Sequence, residues 1–276
     1  MKSAAQEQWQ ISGSGPELYE RFAVARHLRP IAERFMQQMP LRAGDRVLDV
    51  ACGTGIVARL VAAHPLAPAQ VTGLDLNEGM VAVARQIATT ENQAIDWRQG
   101  NAMEMSFASA SFDLVVCQQG LQFMPDKLQA LREMRRVLVD GGRLALNVFG
   151  RASRFHVALA DVLARYSDPA VAQLSLTPFA FPDPAALTDL VRCAGFRDVV
   201  LDSASISRRV EPTQQWLLEY SSALPYGAAI AAIEPDQRAA LLREVAASLR
   251  DLWVRSDSAG DSFLVPCEVH FVFARA

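Results

Sequence analysis

A carboxylate and two glycines lie close together in residues 47–58, between two apolar runs. The residues around Asp49 are apolar, as in a strand that is covered on both faces. Gly53 and Gly55 let the chain turn sharply and let a ligand approach the bare backbone. A strand that leads through glycines into a helix places backbone N–H groups beside a concave site at its carboxyl end. We therefore expect a ligand to bind at this turn.

Two kinds of ligand match the spacing of these residues. Gly53, Gly55 and Ala58 satisfy the glycine fingerprint of dinucleotide-binding folds, and Asp75 lies 20 residues past Gly55. An acid at that distance is expected to bind the ribose of NAD. The carboxylate of Asp49 argues against this interpretation, because it would repel an anionic pyrophosphate. A cationic ligand suits that carboxylate better.

The turn resembles the first motif of the class I S-adenosylmethionine-dependent methyltransferases, in which an acidic residue precedes G-x-G. Asp49 occupies the acidic position, and Ala51, Gly53 and Gly55 form the turn. The resemblance implies S-adenosylmethionine as cofactor and S-adenosylhomocysteine as product. The sulfonium and ammonium groups of this cofactor are cationic, so a nearby carboxylate suits them. A non-catalytic module that binds the same cofactor and an NAD-dependent oxidoreductase are the two alternatives.

Further cofactor contacts follow from the same resemblance. It assigns the carboxylate of Asp75, at the end of the predicted second strand, to the ribose hydroxyls. Asn101 replaces the aspartate that usually accepts from the adenine amino group, and its side-chain oxygen can accept the same bond. Tyr19 is the candidate for an aromatic residue near the methionine carboxylate, with packing onto the core as its alternative role. The remaining expected contacts are Leu76, Met80, Ala102 and Gln118.

Residues 111–126 carry the pattern F-D, an apolar run, and then L-x-x-x-P-D. This pattern resembles that of the ubiquinone- and menaquinone-pathway methyltransferases and their small-molecule relatives. Many of these relatives carry histidine at the position of Gln122. A glutamine cannot act as a general base at neutral pH, but it can orient a substrate by hydrogen bonding. We expect Gln122 and Phe123 to contact the substrate.

The sequence does not specify the catalytic group. Methyl transfer is an in-line displacement whose main requirement is orientation, and a base is needed only when the acceptor must lose a proton. His156, after the fifth predicted strand, and Tyr166 and Tyr226, in the expected cap, are candidate bases. For each of them, a structural role is the alternative.

Strands and helices alternate along residues 41–150, which indicates a parallel sheet with helices on both faces. We predict an α/β fold with a Rossmann-like, seven-stranded, mostly parallel sheet whose last strand is antiparallel. Residues 1–40 are expected to form an N-terminal helical lid, and residues 41–150 the cofactor-binding core. Residues 151–276 would complete the sheet and add helical cap insertions at about 151–182 and 212–262.

The later part of the chain yields more local predictions. The fifth strand is expected to begin at Arg143, and the last two strands are expected over residues 199–206 and 265–273. The segment 167–184, which contains four prolines, is predicted to be irregular. We expect it, together with residues 1–16, to form the movable walls of an enclosed, aromatic-lined pocket.

The composition restricts the partners and the location. The chain has 276 residues, 51% of them hydrophobic, and its net charge of -3 gives no electrostatic case for nucleic acid. Its four cysteines form no C-x-x-C pair and no histidine lies at metal spacing, so no metal site is predicted. No apolar signal core and no run of about 18 apolar residues is present, which predicts a cytoplasmic protein without a membrane span. We expect a small-molecule substrate, and a homodimer stays open.

Overall fold

The computed structural model describes residues 13–181, 183–211, 213–254 and 262–276. The first part of the predicted N-terminal lid and movable wall, residues 1–12, lies outside the described residues. The same holds for small parts of the two predicted cap insertions.

One sheet organises the described chain. Its strands are β1 Arg46–Val50, β2 Gln70–Asp75, β3 Asp96–Gln99, β4 Phe112–Gln118, β5 Leu138–Phe149, β6 Arg197–Val210, β7 Trp253–Val254 and β8 Ser262–Arg275. The spatial order is β3-β2-β1-β4-β5-β8-β6, and the two-residue β7 pairs with β8. The strands β1 to β5 pair in parallel, whereas β8 is antiparallel to both β5 and β6. This confirms the predicted Rossmann-like sheet with an antiparallel last strand.

Helices cover the two faces of the sheet. The α-helices are α1 Gly15–Leu18, α2 Arg29–Gln38, α3 Ile56–Ala62, α4 Glu78–Thr90, α5 Lys127–Val137, α6 Arg154–Tyr166, α7 Pro169–Leu176, α8 Pro184–Cys193, α9 Gln214–Ser222, α10 Gly227–Ala231 and α11 Pro235–Ser248. A π-helix, Tyr19–Leu28, joins α1 to α2. Within the described ranges, no helix is both long and apolar enough to cross a membrane.

Alternate residues of the central strands belong to two separate apolar clusters. In β1, Val47 packs into one cluster, whereas Leu48 and Val50 pack into the other. In β4, Leu114 belongs to the first cluster and Val115 to the second. Because side chains alternate along a strand, the two clusters lie on opposite faces of the sheet. Burial on both faces explains why these strands are apolar throughout.

The N-terminal helical segment is attached to the glycine turn. Glu20 of the π-helix accepts one hydrogen bond from Oγ1 of Thr54 and another, of 2.7 Å, from Nη2 of Arg59. The described part of the segment before the core is helical, and its middle stretch, Tyr19–Leu28, has π geometry. Since π-helical turns are rare and occur frequently at functional sites, this geometry draws attention to Tyr19.

The predicted start of the fifth strand is wrong. β5 begins at Leu138, which pairs with Phe112, and regular pairing resumes with Leu114 and Arg143. The residues between these two pairs bulge out of β5, as an extra stretch in one strand of a pair must. The bulge contains Gly141, whose φ of +70° is easily reached without a side chain.

The prediction of an irregular segment at residues 167–184 is also wrong, because α7 and the 3₁₀ helix Thr177–Phe179 occupy much of it. Asp168 caps α7 by accepting a 2.8 Å hydrogen bond from the backbone N–H of Ala170. Pro169 stands at the first helical position, where its missing N–H removes no helical bond. Here a proline begins a helix instead of breaking one.

β6 and β8 form an antiparallel ribbon that extends beyond the rest of the sheet. Pairing between β5 and β8 ends at Phe149 and Val269, whereas pairing between β6 and β8 continues to Val210 and Phe263. Both ribbon strands are therefore longer than predicted. Their extra length brings the end of β6 among the cap helices.

The two cap insertions share one apolar core. Phe155 of α6 packs with Trp216 of α9, Leu241 of α11 and Phe263 at the end of the ribbon. Trp216 also stacks on Tyr220 with a distance of 5.0 Å between the ring centroids. Aromatic and aliphatic side chains thus hold the cap together beside the sheet.

Candidate active site

A cavity lies at the carboxyl ends of β1, β2 and β4, between the π-helix and the cap. Parallel strands bring the residues that follow them to one edge of the sheet, which is where such folds bind ligands. The predicted site residues that line the cavity are Tyr19, Asp49, Ala51, Gly53, Asp75, Leu76, Met80, Asn101, Ala102, Gln118, Gln122, Phe123, His156 and Tyr226. The two predicted residues that do not line it are Gly55 and Tyr166.

The two glycines of the turn have different roles. Gly53 has a φ of +57°, and a Cβ there would meet Cε1 of Tyr19 at an ordinary 3.7 Å. The space beside Gly53 is therefore open to a ligand. Gly55 has a φ of +87°, and a Cβ there would overlap the indole of Trp97. Packing against Trp97, and not contact with a ligand, is what requires glycine at position 55.

Asp49 is buried beneath the turn. The residue is 1% exposed, and its Oδ2 accepts a 3.0 Å hydrogen bond from the backbone N–H of Ala58. Burial, with a smaller contribution from the charge of Asp75, raises the pKa of Asp49 to about 8, although the hydrogen bond from Ala58 opposes the shift. No basic side chain is among the groups that shift this pKa. A cationic ligand would therefore supply the charge that favours the ionised carboxylate.

Asp75 connects the end of β2 to the turn after β1. Its Oδ2 accepts a hydrogen bond from the backbone N–H of Gly53, and its Oδ1 accepts one from Asn77, both at 2.8 Å. Burial raises the pKa of Asp75, and these backbone hydrogen bonds oppose the shift. Each carboxylate oxygen has a further lone pair, so Asp75 can also accept bonds from ligand hydroxyls.

Tyr19 and Asn101 both line the cavity. Burial raises the pKa of the Tyr19 hydroxyl far above its usual value, with Asp75 and Glu20 adding to the shift. That hydroxyl stays protonated and can donate a hydrogen bond. Oδ1 of Asn101 accepts a 3.0 Å bond from the backbone N–H of Met103, which stabilises the turn after β3. One lone pair of that oxygen is thus already used.

Two non-glycine residues at the cavity have left-handed backbone conformations. Ala51 has a φ of +56° and Gln119 a φ of +53°. They follow the neighbouring strands β1 and β4, and a Cβ at Gly120 would lie 2.6 Å from the Cβ of Ala51. The loops after these strands are therefore tightly packed. Such conformations cost free energy and cluster at ligand sites, where the surrounding structure imposes them.

A chain of side-chain amides connects the loop after β4 to β5. Gln118 accepts from Asn147, and Asn147 accepts from Gln119, at 3.3 and 2.9 Å. Oε1 of Gln119 accepts from the backbone N–H of Phe149, which fixes how that amide is oriented. Gln122 must therefore direct its NH₂ group to Gln119, at 2.8 Å. Its own Oε1 has no hydrogen-bond partner within the described ranges. A buried acceptor beside a cavity can bind an O–H or N–H of a ligand.

The cap side of the cavity holds a hydrogen-bonded histidine. Nδ1 of His156 lies 2.7 Å from Oγ of Ser153, and Nε2 lies 3.2 Å from the hydroxyl of Tyr220. Burial lowers the pKa of His156 well below its usual value, and the charge of Arg208 lowers it further. The imidazole is therefore neutral and a weak proton acceptor. Burial has the opposite effect on Tyr226, because it raises the pKa of that phenol well above its usual value. The Tyr226 hydroxyl therefore stays protonated.

Tyr166 lies outside the cavity. Its hydroxyl donates a 2.7 Å hydrogen bond to Glu244 of α11, on a partly exposed part of the cap. This position removes Tyr166 from the candidate bases. Its role is to join α6 to α11.

The predicted site does not include His27, Tyr220 and Arg208, which also line the cavity. A signal for Arg208 is present in the sequence. The inward residue Ile206 and the exposed Ser207 alternate along β6, so position 208 points to the same side as Ile206. A charged residue at an inward position of a strand marks a site that requires an explanation.

In the described part of the chain, no group of three or more His, Cys, Asp or Glu residues could hold a metal ion. All four cysteines are free, with Cys193 exposed and the other three buried.

Comparison with known proteins identifies the family. Residues 48–146, which contain the glycine turn and the five parallel strands up to Leu146, match the family model of the methyltransferase domain. The chain is also 34% identical over 174 residues to a demethylmenaquinone methyltransferase of Listeria monocytogenes, covering 58% of this chain and 73% of that relative. The chain belongs to the S-adenosylmethionine-dependent methyltransferases. Within this family it is similar to the ubiquinone- and menaquinone-pathway group.

Solved structures of methyltransferases share the fold. A Bacillus halodurans protein assigned as a methyltransferase superposes with a TM-score of 0.60 at 22% identity, covering 88% of this chain and 97% of that one. The phosphoethanolamine N-methyltransferase 2 of Haemonchus contortus, in complex with S-adenosylmethionine, gives a TM-score of 0.60 at 19% identity. The superposition covers 95% of this methyltransferase and 56% of that chain. At such identities the likeness establishes the fold alone.

S-adenosylmethionine is the cofactor of this family, and the cavity of this methyltransferase fits it. No basic side chain of the described residues pairs with the carboxylate of Asp49, Asp75 retains acceptor capacity, and the space beside Gly53 is open. These three features suit, in turn, a cationic group, the two hydroxyls of a ribose, and a ligand that approaches the protein backbone closely. The NAD-dependent oxidoreductase alternative is not favoured.

Proposed function

We propose that this methyltransferase transfers a methyl group from S-adenosylmethionine to a small, partly apolar molecule held between the glycine turn and the cap. One observation carries the proposal. The cavity lined by Asp49, Gly53 and Asp75 is also lined by the cap residues Tyr220 and Tyr226. Cofactor and acceptor can therefore meet inside the same cavity, away from bulk water.

The residues at the sheet end of the cavity are proposed to bind the cofactor. Asp49 and Gly53 would hold the methionine end, and Asp75 the ribose. The proposed contacts to the adenine and to the rest of the cofactor are Leu76, Asn101, Ala102, Tyr19, Met80 and Gln118. What supports this set is that all its members line the same cavity.

The cofactor supplies a methyl group on a sulfonium whose positive charge already activates it. The protein contributes orientation, which can account for about 7–11 kcal/mol of a barrier. It also contributes dry walls, because Phe149 and Phe179 are buried and lie 5.4 Å apart between ring centroids. Exclusion of water strengthens every polar contact inside the cavity.

Neither histidine of the cavity is suited to act as a general base. Burial lowers the pKa of His27 to about 2, and the same cause lowers the pKa of His156. A base works best when its pKa is near the working pH. We therefore expect an acceptor that has no proton to lose, or one that arrives already ionised.

The walls favour an acceptor with a flat apolar body. Phe149, at the end of β5, and Phe179, Tyr220 and Leu224 line the cavity. The Listeria monocytogenes relative is named for demethylmenaquinone. A ring-containing acceptor of that general kind is what we propose for this chain, with Gln122 and Phe123 as substrate contacts.

Two measurements test the proposal. Calorimetric titration of the full-length protein with S-adenosylhomocysteine should show binding, whereas titration with NAD should show none. Incubation with S-adenosylmethionine that carries a labelled methyl group should then label at least one acceptor in a panel of naphthols, quinols and aromatic carboxylates. Binding of the cofactor without transfer to any acceptor of the panel would favour the non-catalytic module. Binding of NAD in place of S-adenosylhomocysteine would overturn the proposal.

The cytoplasmic location and the possible homodimer stay predictions. The division of the chain into lid, core and cap stays a prediction too, and so do the movable walls. Hydrogen exchange of the segment 167–184, measured with and without S-adenosylhomocysteine and an acceptor, tests whether that wall closes when both ligands bind.

A further inference from the structure

Arg208 is a buried cation for which the described residues supply no counter-charge. The residue is 6% exposed, and Nη2 of its guanidinium has no hydrogen-bond partner among those residues. The groups that act on its charge are Tyr220, Cys267 and Tyr226, and none of them is a carboxylate. Tyr220 and Cys267 hydrogen-bond to the guanidinium but carry no full negative charge, and a buried charge without an opposite charge is strongly unfavourable for the folded protein. A ligand of opposite charge is the simplest reason for such a residue to lie in a cavity wall.

Two other buried side chains of the same cavity have an atom without a hydrogen-bond partner in the described part of the chain. These atoms are Nδ1 of His27, in a residue that is 6% exposed, and Oε1 of Gln122, in a residue that is 3% exposed. Together with Nη2 of Arg208, they form a set of unused donors and acceptors around one cavity. Buried polar groups are normally paired, so a set of this kind indicates a missing polar ligand.

The charge of Arg208 acts at the cap end of the cavity. Its Cζ lies 5.8 Å from the ring centroid of Tyr220, and its charge lowers the pKa of His156. Asp49 and Asp75 lie in β1 and β2, whereas Arg208 lies in β6, and the strands β4, β5 and β8 stand between β1 and β6 in the sheet. The guanidinium is therefore separated from the carboxylates that are proposed to hold the cofactor. It lies where the acceptor would bind.

The β6–β8 ribbon determines this position. Arg208 pairs with Val265, beyond the point at which β5 stops pairing with β8. Alternation along β6 buries Arg208 and exposes its neighbour Arg209, which donates to Oγ of Ser262. The strand thus presents one arginine to the cavity and the next to solvent.

We propose that Arg208 binds an anionic oxygen of the methyl acceptor, which makes the substrate a small, partly apolar molecule with a carboxylate or an ionised hydroxyl. The inference rests on the proposed function, because it concerns the acceptor of the same cavity. A planar guanidinium can donate two parallel hydrogen bonds to a carboxylate and is charged at every working pH. Oε1 of Gln122 would accept from an O–H or N–H of the same molecule.

Calorimetry with charged and neutral probes of one shape tests this inference. With S-adenosylhomocysteine present, the full-length protein should bind 2-naphthoate about tenfold or more tightly than 2-naphthamide, since hydrogen bonds to charged groups are the stronger ones. A second pair, 4-nitrophenolate and 4-nitroaniline, tests an ionised hydroxyl in place of a carboxylate. The pair with the larger preference identifies the source of the anionic oxygen.

Arg208→Met should abolish the preference for the anion, and Arg208→Lys should restore part of it. Arg209→Met removes the same charge from the neighbouring exposed position and should leave the preference unchanged. Arg208→Met should also melt at the same temperature as the wild type or higher, because it removes an unpaired buried charge. This melting temperature is a readout that does not depend on activity.

Three results would overturn the inference. The first is a wild-type protein without preference for either anion, and the second is an Arg208→Met variant that keeps the preference or unfolds. The third is an Arg208→Met variant that loses affinity for S-adenosylhomocysteine, since Arg208 would then bind the carboxylate of the cofactor. Failure of the wild type to bind S-adenosylhomocysteine would instead refute the proposed function.

Discussion

The carboxylate of Asp75 accepts a 2.8 Å hydrogen bond from the backbone N–H of Gly53. This bond joins the ends of two neighbouring strands, β2 and β1. The side chain proposed to bind the ribose therefore also holds the turn that is proposed to bind the methionine end. A substitution at Asp75 must affect both parts of the cofactor site.

Asp75→Asn should weaken the binding of S-adenosylhomocysteine by about tenfold or more, because hydrogen bonds to a charged group contribute about 1.5–3 kcal/mol. The amide keeps one acceptor oxygen but places an NH₂ group against a backbone N–H. Calorimetry measures the affinity, and circular dichroism checks that the variant is folded. Asp96→Asn is the matched control, because Asp96 lies in β3 outside the cavity and pairs with Arg98. Wild-type affinity in a folded Asp75→Asn variant would contradict the ribose assignment.

Binding of S-adenosylhomocysteine should release protons at neutral pH. Burial raises the pKa of Asp49 to about 8, so the free protein carries this carboxyl mostly protonated at about pH 7. A cation beside Asp49 favours its ionised form, so affinity should increase as the pH rises toward about 8. Calorimetry in buffers of different ionisation enthalpy measures the released protons. Asp49→Asn should abolish the release, and an unchanged release would show that another group titrates.

The same pKa shift predicts how the stability of the free protein depends on pH. The folded-state pKa of Asp49 lies above the unfolded value, so its contribution to stability is complete at low pH and is lost as the pH rises through about 8. The free energy of unfolding of Asp49→Asn should therefore fall less between about pH 5 and pH 8 than that of the wild type. Urea unfolding at several pH values measures the difference.

Alanine substitutions at the two glycines of the turn should have different effects. Gly55→Ala should cost about 1–3 kcal/mol of stability or more, because its Cβ would overlap the indole of Trp97. Gly53→Ala meets no such overlap and should cost about 1–2 kcal/mol through its positive φ, while weakening cofactor binding. Urea unfolding and calorimetry separate the two effects. Recovery of stability in Gly55→Ala with Trp97→Leu would support the packing explanation, and its absence would count against it.

Gln122→Met should raise KM for the acceptor found in the panel by about fivefold, because a neutral hydrogen bond contributes about 1 kcal/mol. Methionine has a similar length but lacks the Oε1, which has no hydrogen-bond partner among the residues that the structure describes. The pH dependence of kcat should not change, because a glutamine does not titrate. Loss of one limb of the pH profile in Gln122→Met would show that this position takes part in proton transfer.

Much of the lining at the proposed cofactor end of the cavity could be predicted from the sequence. The glycine turn, Asp49 and Asp75 are local features that a strand, a turn and a helix place within a few residues of one another. Parallel strands then bring such local features to the same sheet edge, which is why the predicted residues from Tyr19 to Gln118 line one cavity, apart from Gly55. Local sequence patterns are enough to predict residues of a site when neighbouring parallel strands bring those residues together.

The acceptor half was decided by tertiary structure. Arg208 lies far along the chain from the glycine turn, and its burial depends on how far β6 and β8 continue beyond β5. Tyr166 and Tyr226 are both cap tyrosines in the sequence, yet the packing of α6 on α11 places Tyr166 outside the cavity, while Tyr226 lines it. Sequence periodicity determines which face of an element is apolar. Which polar groups meet across the cavity depends on long-range packing between elements, and periodicity within one element carries no information about that.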